Sequence, residues 1–191
     1  MELVEIGKNI LTSCMNVRPK EQVLVVTDDE KYAIGQALYQ AAKVLGSEAM
    51  LMTMSPRAVS GQEPPAAVAA AMKAADVVLC PMSTSITHTR AKIEAAAAGA
   101  RIATMPGITK DMFTKGAMTA DYRRVMEFTE RVAELLTKAS TARIEKQGRV
   151  MTLDLRGRPG VSSPGIYREK GQAGNLPSGE AYIAPVETGA N

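Results

Sequence analysis

The chain has 191 residues, 46% of them hydrophobic and 23% charged, and Lys+Arg 23 against Asp+Glu 20 leaves a net charge of +3 at pH 7. That length suits one domain, or one domain plus part of another, and can bury roughly 70% of the unfolded surface; the near-average apolar content excludes intrinsic disorder. With no basic block, five Tyr, two Phe and no Trp, neither nucleic acid nor a membrane is expected as a partner.

Leu3, Ile6, Ile10 and Leu11 recur at helical spacing and predict a short amphipathic helix, ended by the stretch from Asn16 to Lys20 that contains Pro19. Val23-Leu24-Val25-Val26 is a continuous aliphatic run, the pattern of a strand covered on both faces. Thr27-Asp28-Asp29 then offers side-chain oxygens to cap a helix over Glu30 to Leu45, which Gly46 closes. Glu48 to Met54 predicts a second strand, and Pro64-Pro65 opens an alanine-rich helix running to about Ala75. Asp76 to Cys80 predicts a third strand, Thr87 to Ala98 a helix ended by Gly99, and Arg101 to Met105 a fourth strand. Strand and helix alternating through short connections imply parallel pairing with right-handed crossovers. The expected class is α/β: a doubly wound, mainly parallel open sheet with helices on both faces.

A longer helix is expected from Thr119 to Ala139, with Tyr122, Val125, Met126, Val132, Ala133 and Leu136 on one stripe that covers the sheet. Thr141 to Gln147 and Val150 to Leu155 alternate across Gly148 and predict an antiparallel hairpin. From Gly157 onward prolines and glycines are dense, as in the loops of a second domain that has barely begun. The expected division is an α/β domain over 1–140 and, over 141–191, the beginning of a β-rich second domain, incomplete here.

Cys14 and Cys80 lie too far apart for a ligand pair and suggest reduced thiols. The acidic start, Met1-Glu2-Leu3-Val4-Glu5-Ile6, is unlike a secretory signal. The weakly polar stretch Pro64 to Pro81 is broken by Lys73 and Asp76, short of the ~20 apolar residues a bilayer crossing needs. A cytoplasmic location is the expectation.

Ligands of open parallel sheets sit beyond the carboxyl ends of the strands, here Thr27 to Glu30, Pro81 to Arg90 and Pro106 to Lys110. Within the middle segment Ser83, Ser85, Thr87, His88 and Arg90 could hold an anion or substrate carboxylate at the start of a helix. Helix capping by Ser85 or Thr87, with a local hydrogen bond to His88, explains the same residues, and both readings stay open. Several standard sites are excluded. No Gly-x-Gly-x-x-Gly follows the first strand, and no Gly-x4-Gly-Lys-Ser/Thr occurs. A lone histidine precludes a two-histidine zinc motif, and no Gly-x-Ser-x-Gly elbow presents a serine to it. Asp28 and Asp29 suit a cap and a solvated neighbour better than a catalytic pair. Glu180, after the turn formers Pro177 and Gly179, is a carboxylate with little rotational freedom to lose on meeting a divalent cation, although a surface turn fits the composition equally.

Asn175-Leu176-Pro177-Ser178-Gly179-Glu180-Ala181-Tyr182-Ile183-Ala184-Pro185 resembles the motif of the aminopeptidase T-type metallo-aminopeptidases, a family with leucyl aminopeptidases and, more distantly, dihydroxypyridine ring-opening dioxygenases. Thr87 to Ala91 and Gly99 to Thr109 are similar to the same family's first domain. The resemblance implies hydrolysis of N-terminal residues from a peptide substrate by water held between two divalent ions (zinc, cobalt or manganese). It implies Glu180 as a metal ligand and no catalytic residue among these positions. The family's other ligands, a glutamate, two histidines and an aspartate, are expected beyond Asn191, in a C-terminal portion or a second chain. The metals are therefore not expected to bind this chain alone, and a homo-oligomer is expected. Two alternatives stand beside it. One is a relative acting on a small cyclic substrate or on an aromatic ring with one iron, as a dihydroxypyridine dioxygenase does. The other is a non-catalytic α/β module that binds a small ligand or serves as a dimerisation platform.

Overall fold

The computed structural model describes residues 2–188, which divide into two compact units, 2–120 with 165–177, and 121–164 with 178–188. In the first unit the chain runs α1 (Glu2–Ser13), β1 (Gln22–Asp28), α2 (Tyr32–Val44), β2 (Glu48–Met54), α3 (Ala66–Ala74), β3 (Val77–Met82), α4 (Arg90–Ala97), β4 (Arg101–Pro106) and α5 (Lys110–Thr114). A short strand, β8 (Ala173–Asn175), returns to it after α6 (Tyr122–Lys138), β5 (Thr141–Lys146), β6 (Arg149–Asp154) and β7 (Val161–Ser163) of the second unit, which ends with β9 (Glu180–Tyr182).

The five strands of the first unit form one sheet in the order β2-β1-β3-β4-β8, with every pairing parallel. Every residue of β3, and every residue of β1 after Gln22, is buried. That is why both strands read as continuous apolar runs rather than alternating ones. Side chains alternate between the two faces. Leu24, Val26, Val78, Cys80, Met82 and Ile102 join Val68 and Met72 of α3 and Ala91 and Ala95 of α4 in one core. On the other side α1 packs on α2, where a Cβ on Gly7 would come within 3.0 Å of the Ala41 methyl. The same economy of space holds at Gly35, where a Cβ would lie 2.8 Å from Thr27 Cβ, so α2 lies directly on β1. Each large aliphatic side chain buried here is worth ~1.5–3 kcal/mol, and the doubly wound α/β class is the observed one.

Helix ends follow local chemistry, with departures from expectation at the starts of α2, of α4 and of α6, which begins at Tyr122 rather than Thr119. Gly46 (φ 78°) closes α2 with paired bonds from Gly46 N–H to Lys43 O and from Ser47 N–H to Ala42 O, the double closure that a left-handed residue permits. At the other end Lys31 caps α2 with no side-chain bond to the helix; Asp28 is drawn instead towards β3. The helix expected from Thr87 begins only at Arg90, because Thr89 is the residue whose hydroxyl accepts from a first-turn N–H, that of Lys92.

In the second unit α6 packs on β7 and β9, burying Tyr122, Thr129 and Ala133. Asp121 caps α6 by accepting from Arg123 and Arg124 N–H. The hairpin pairs Lys146 with Arg149 across Gln147 (φ 51°) and Gly148 (φ 76°), two positive φ values of the tight turn that suits strand twist. The long helix and the hairpin thus lie together in the second unit, whereas 165–177 belong to the first.

Candidate functional site

The strand order places a topological switch between β1 and β3, where the chain leaves β1 for β2 on one side and β3 for β4 on the other. Such a switch opens a crevice at the carboxyl ends. Proline opens it further here. Pro81 has no N–H, and its carbonyl faces β1, so the ladder between these strands stops after Val25–Leu79. Side chains close the gap instead. Thr27 Oγ1 donates to Pro81 O at 2.9 Å, and Asp28 Oδ2 accepts from both the N–H and the hydroxyl of Ser83 at 2.6 Å. Asp28 Oδ1 accepts from Lys31 N–H at 3.1 Å. Asp28 is fully buried, and three donors are what make a carboxylate tolerable there. Ser83, a predicted anion ligand, is thus engaged by an internal carboxylate.

Next along the same edge lies a hydroxyl relay. Ser85 Oγ donates to Thr87 Oγ1 at 2.9 Å, and Thr87 Oγ1 and Thr104 Oγ1 meet Asn175 Oδ1 at 3.0 and 2.6 Å. Ser85 Oγ in turn accepts from Thr87 N–H. Thr104 is buried on β4, and Asn175 ends β8, paired with Thr104 in register. The structure therefore brings Ser85 and Thr87 together but leaves His88 and Arg90 exposed outside the relay. The first N–H groups of α4 are also taken: the Glu63 carboxylate accepts from Arg90 N–H at 2.6 Å and Ala91 N–H at 3.1 Å. A carboxylate at a helix N-terminus is the favourable arrangement expected of an anion, supplied here from within the chain. Sequence reasoning missed Glu63, which stands in an unpatterned loop. Thr104 and Asn175 had a faint signal: a lone hydroxyl in an apolar strand, and the first residue of the motif.

Glu180 opens β9 in the second unit, opposite Ser163 of β7. Ser178 anchors the preceding turn by bonding Ser163 O at 2.8 Å. Gly179 has φ 147°, and a Cβ there would lie 2.8 Å from Val125 Cγ1, so only glycine fits against α6. Backbone position is thus well held, while the Glu180 side chain is exposed and meets no hydrogen-bond donor among the described residues.

Nucleophile chemistry finds little footing. Burial pushes the Cys80 thiol up to about 12, against a small opposing pull from Lys92. Cys14 is likewise raised to about 12 by burial, with Arg168 opposing. Both are buried and stay protonated at neutral pH. Burial lowers the Lys92 ammonium from its usual range. Among the described residues no three His, Cys, Asp or Glu side chains converge as a metal cage. The residues described therefore do not by themselves fit a resident metal, whether one ion or two. Nor is any described helix long and apolar enough to cross a membrane.

Residues 2–191 match the family described as NicX: 2,5-dihydroxypyridine 5,6-dioxygenase. Among solved structures the fold is similar to 2,5-dihydroxypyridine dioxygenase from Pseudomonas putida KT2440, with a TM-score of 0.74 and 19% identity over 98% of this chain and 57% of that one. It is also similar to AmpT from Thermus thermophilus, with a TM-score of 0.67 and 13% identity over 100% of this chain and 63% of that one. The chain thus spans less than two thirds of the length of these two relatives. Comparison with curated protein sequences finds no match. The aminopeptidase assignment suggested by the Asn175–Pro185 motif is corrected by the family match, and with it the classification as a hydrolase or protease. Likeness to AmpT at 13% identity speaks for shared fold alone. The peptide substrate and the two-ion zinc, cobalt or manganese site rested on that assignment and lose its support. The chain belongs to the 2,5-dihydroxypyridine 5,6-dioxygenase family.

Proposed function

We propose that this chain forms part of a dioxygenase acting on a dihydroxylated pyridine, in which both atoms of O2 enter the substrate at ring positions 5 and 6. The observation that carries this reading is the family match over residues 2–191. The architecture is compatible with it: the carboxyl edge of a parallel sheet is where a small planar substrate binds in such folds.

Iron is the expected metal, one ion rather than two. Glu180 is proposed as a ligand because its backbone is pinned by Ser178 and Gly179 while its carboxylate carries no competing donor. A single carboxylate does not hold a divalent ion against water, so the remaining ligands are proposed to come from groups outside the described residues.

Oxygen uptake in the assembled protein tests the proposal. With ferrous iron and 2,5-dihydroxypyridine supplied, the expected outcome is substrate-dependent consumption of O2 in equimolar amount with ring loss. Glu180→Gln is expected to lower bound iron and uptake together by at least about tenfold, the scale of losing one ligand-shell group. Ring loss without oxygen consumption, or full activity in Glu180→Gln, would overturn the assignment it bears on.

A further inference from the structure

We infer that Asn175 is a substrate-binding residue, whose side-chain amide donates to an oxygen of a hydroxylated aromatic ring at the carboxyl edge of the sheet. This rests on the dioxygenase reading for the identity of the ring, but on the geometry alone for the residue.

The direction of the amide follows from proton bookkeeping. Thr87 and Thr104 each have one hydroxyl proton, and both hydroxyls meet Asn175 Oδ1, at 3.0 and 2.6 Å. Ser85 donates to Thr87 Oγ1, the Thr87 and Thr104 hydroxyls lie 2.9 Å apart, and the Thr104 hydroxyl closes the relay on Asn175 Oδ1, which is nearer to it than its other acceptor, Gly174 O at 3.3 Å. With Oδ1 facing the relay, Nδ2 faces away from it. The main chain is fixed as well: Asn175 O accepts from Tyr167 Oη at 2.7 Å, and Leu176 N–H donates to Thr104 O at 2.8 Å. Asn175 is exposed, and its Nδ2 has no acceptor among the described residues.

A chain does not need three hydroxyls to orient a solvated amide for stability. The arrangement is what a binding group requires: two N–H donors held in one direction before the ligand arrives, at the strand ends where ligands of this architecture sit. Donors without acceptor capacity favour an electron-rich oxygen, such as the phenolate or oxo oxygen of a hydroxypyridine. A phosphate-sized anion would call for positive charge as well, and the relay has none.

The test compares equilibrium binding of 2,5-dihydroxypyridine and of unsubstituted pyridine to the assembled protein and to Asn175→Asp. A carboxylate still accepts from Thr87 and Thr104 but donates nothing and repels a phenolate. The expected result is loss of affinity for the dihydroxylated ring by about tenfold or more, with pyridine unaffected, so that the preference between them collapses. Where Asn175→Asp lowers the unfolding midpoint, Thr87→Val carries the test: it leaves Asn175 in place, loosens its orientation, and is expected to weaken binding severalfold. Unchanged preference in whichever variant is folded would overturn the inference. Binding that depends on Asn175 without any oxygen consumption would sink the dioxygenase reading and leave this one standing. Oxygen consumption with unaltered affinity in Asn175→Asp would do the reverse, and a wild-type protein that binds no hydroxylated ring would overturn both.

Discussion

The two units use strands in opposite ways. In the first, β1 and β3 are buried along their lengths and lie between α1–α2 and α3–α4. In the second, β5 and β6 are paired with each other, and Ile144, Val150 and Met151 are exposed on them. The first unit is held by side-chain burial, so its backbone can splay at Pro81 and still be closed by Thr27, Asp28 and Ser83. The second is held by backbone pairing and by close approach, as where Gly160 lies directly against Ala133 O of α6. A chain can thus put a polar, hydroxyl-rich edge on a unit rigid enough to orient it, while its carboxylate-bearing strand rests on a lighter support.

The largest effect should come from the packed sheet. Leu79→Ala, at a fully buried site between β1 and β4, is expected to cost about 3 kcal/mol in urea unfolding. Ile144→Ala on the exposed hairpin should cost less than ~0.5 kcal/mol. Comparable losses at the two positions would break the contrast between units.

Asp28→Ala removes the acceptor of two backbone N–H groups and one hydroxyl. The expected cost is about 2–3 kcal/mol, since buried donors are left unpaired, and amide exchange at Ser83 should quicken. Unchanged exchange there would show that the β1–β3 closure does not depend on this carboxylate.

Gly160→Ala tests the lighter unit, because its added methyl would collide with Ala133 O. About 1–3 kcal/mol is expected for such overpacking, with broadened signals confined to α6 and β7. Changes spreading through the parallel sheet would argue against two separately packed units.

The smallest effect concerns the end of β6. Arg156 bonds to Asp154 and draws its carboxyl down to about 2. A depressed carboxylate stabilises above its unfolded value, ~3.9, and that contribution fades as pH falls through about 2. With Arg156 largely exposed, salt should weaken it further. A carboxyl titration by NMR checks it, and an Asp154 midpoint near 4 would contradict the pairing.

How far the sequence reveals this depends on which force builds each part. Val23–Val26 and Val77–Cys80 announce themselves because burial on both faces demands unbroken apolar runs, and Gly46 and Gly148 mark turns that need positive φ. By contrast β8, Ala173-Gly174-Asn175, has no strand-forming residue. Its pairing with β4 is secured by Tyr167 Oη on Asn175 O, and Gly174 is needed because a Cβ would strike that tyrosine. Contacts of that kind are invisible along the chain. The α5 helix, five residues long, is too short for periodicity to show. At the carboxyl edge the hydroxyls were legible as residues, but not their engagement: Ser83 with Asp28 is 55 positions away in sequence, and Thr87 with Asn175 is 88. The motif containing Glu180 was legible too, and it misled about activity because one fold is shared by groups with different chemistry.

Isotope labelling of the reaction tests the central claim most directly. The assembled protein, given ferrous iron and 2,5-dihydroxypyridine under oxygen-18 gas, is expected to yield a ring-derived product with both gas-derived atoms in it, and none when the label is in water alone. A product whose new oxygen comes from water would contradict membership of this chemistry by this chain.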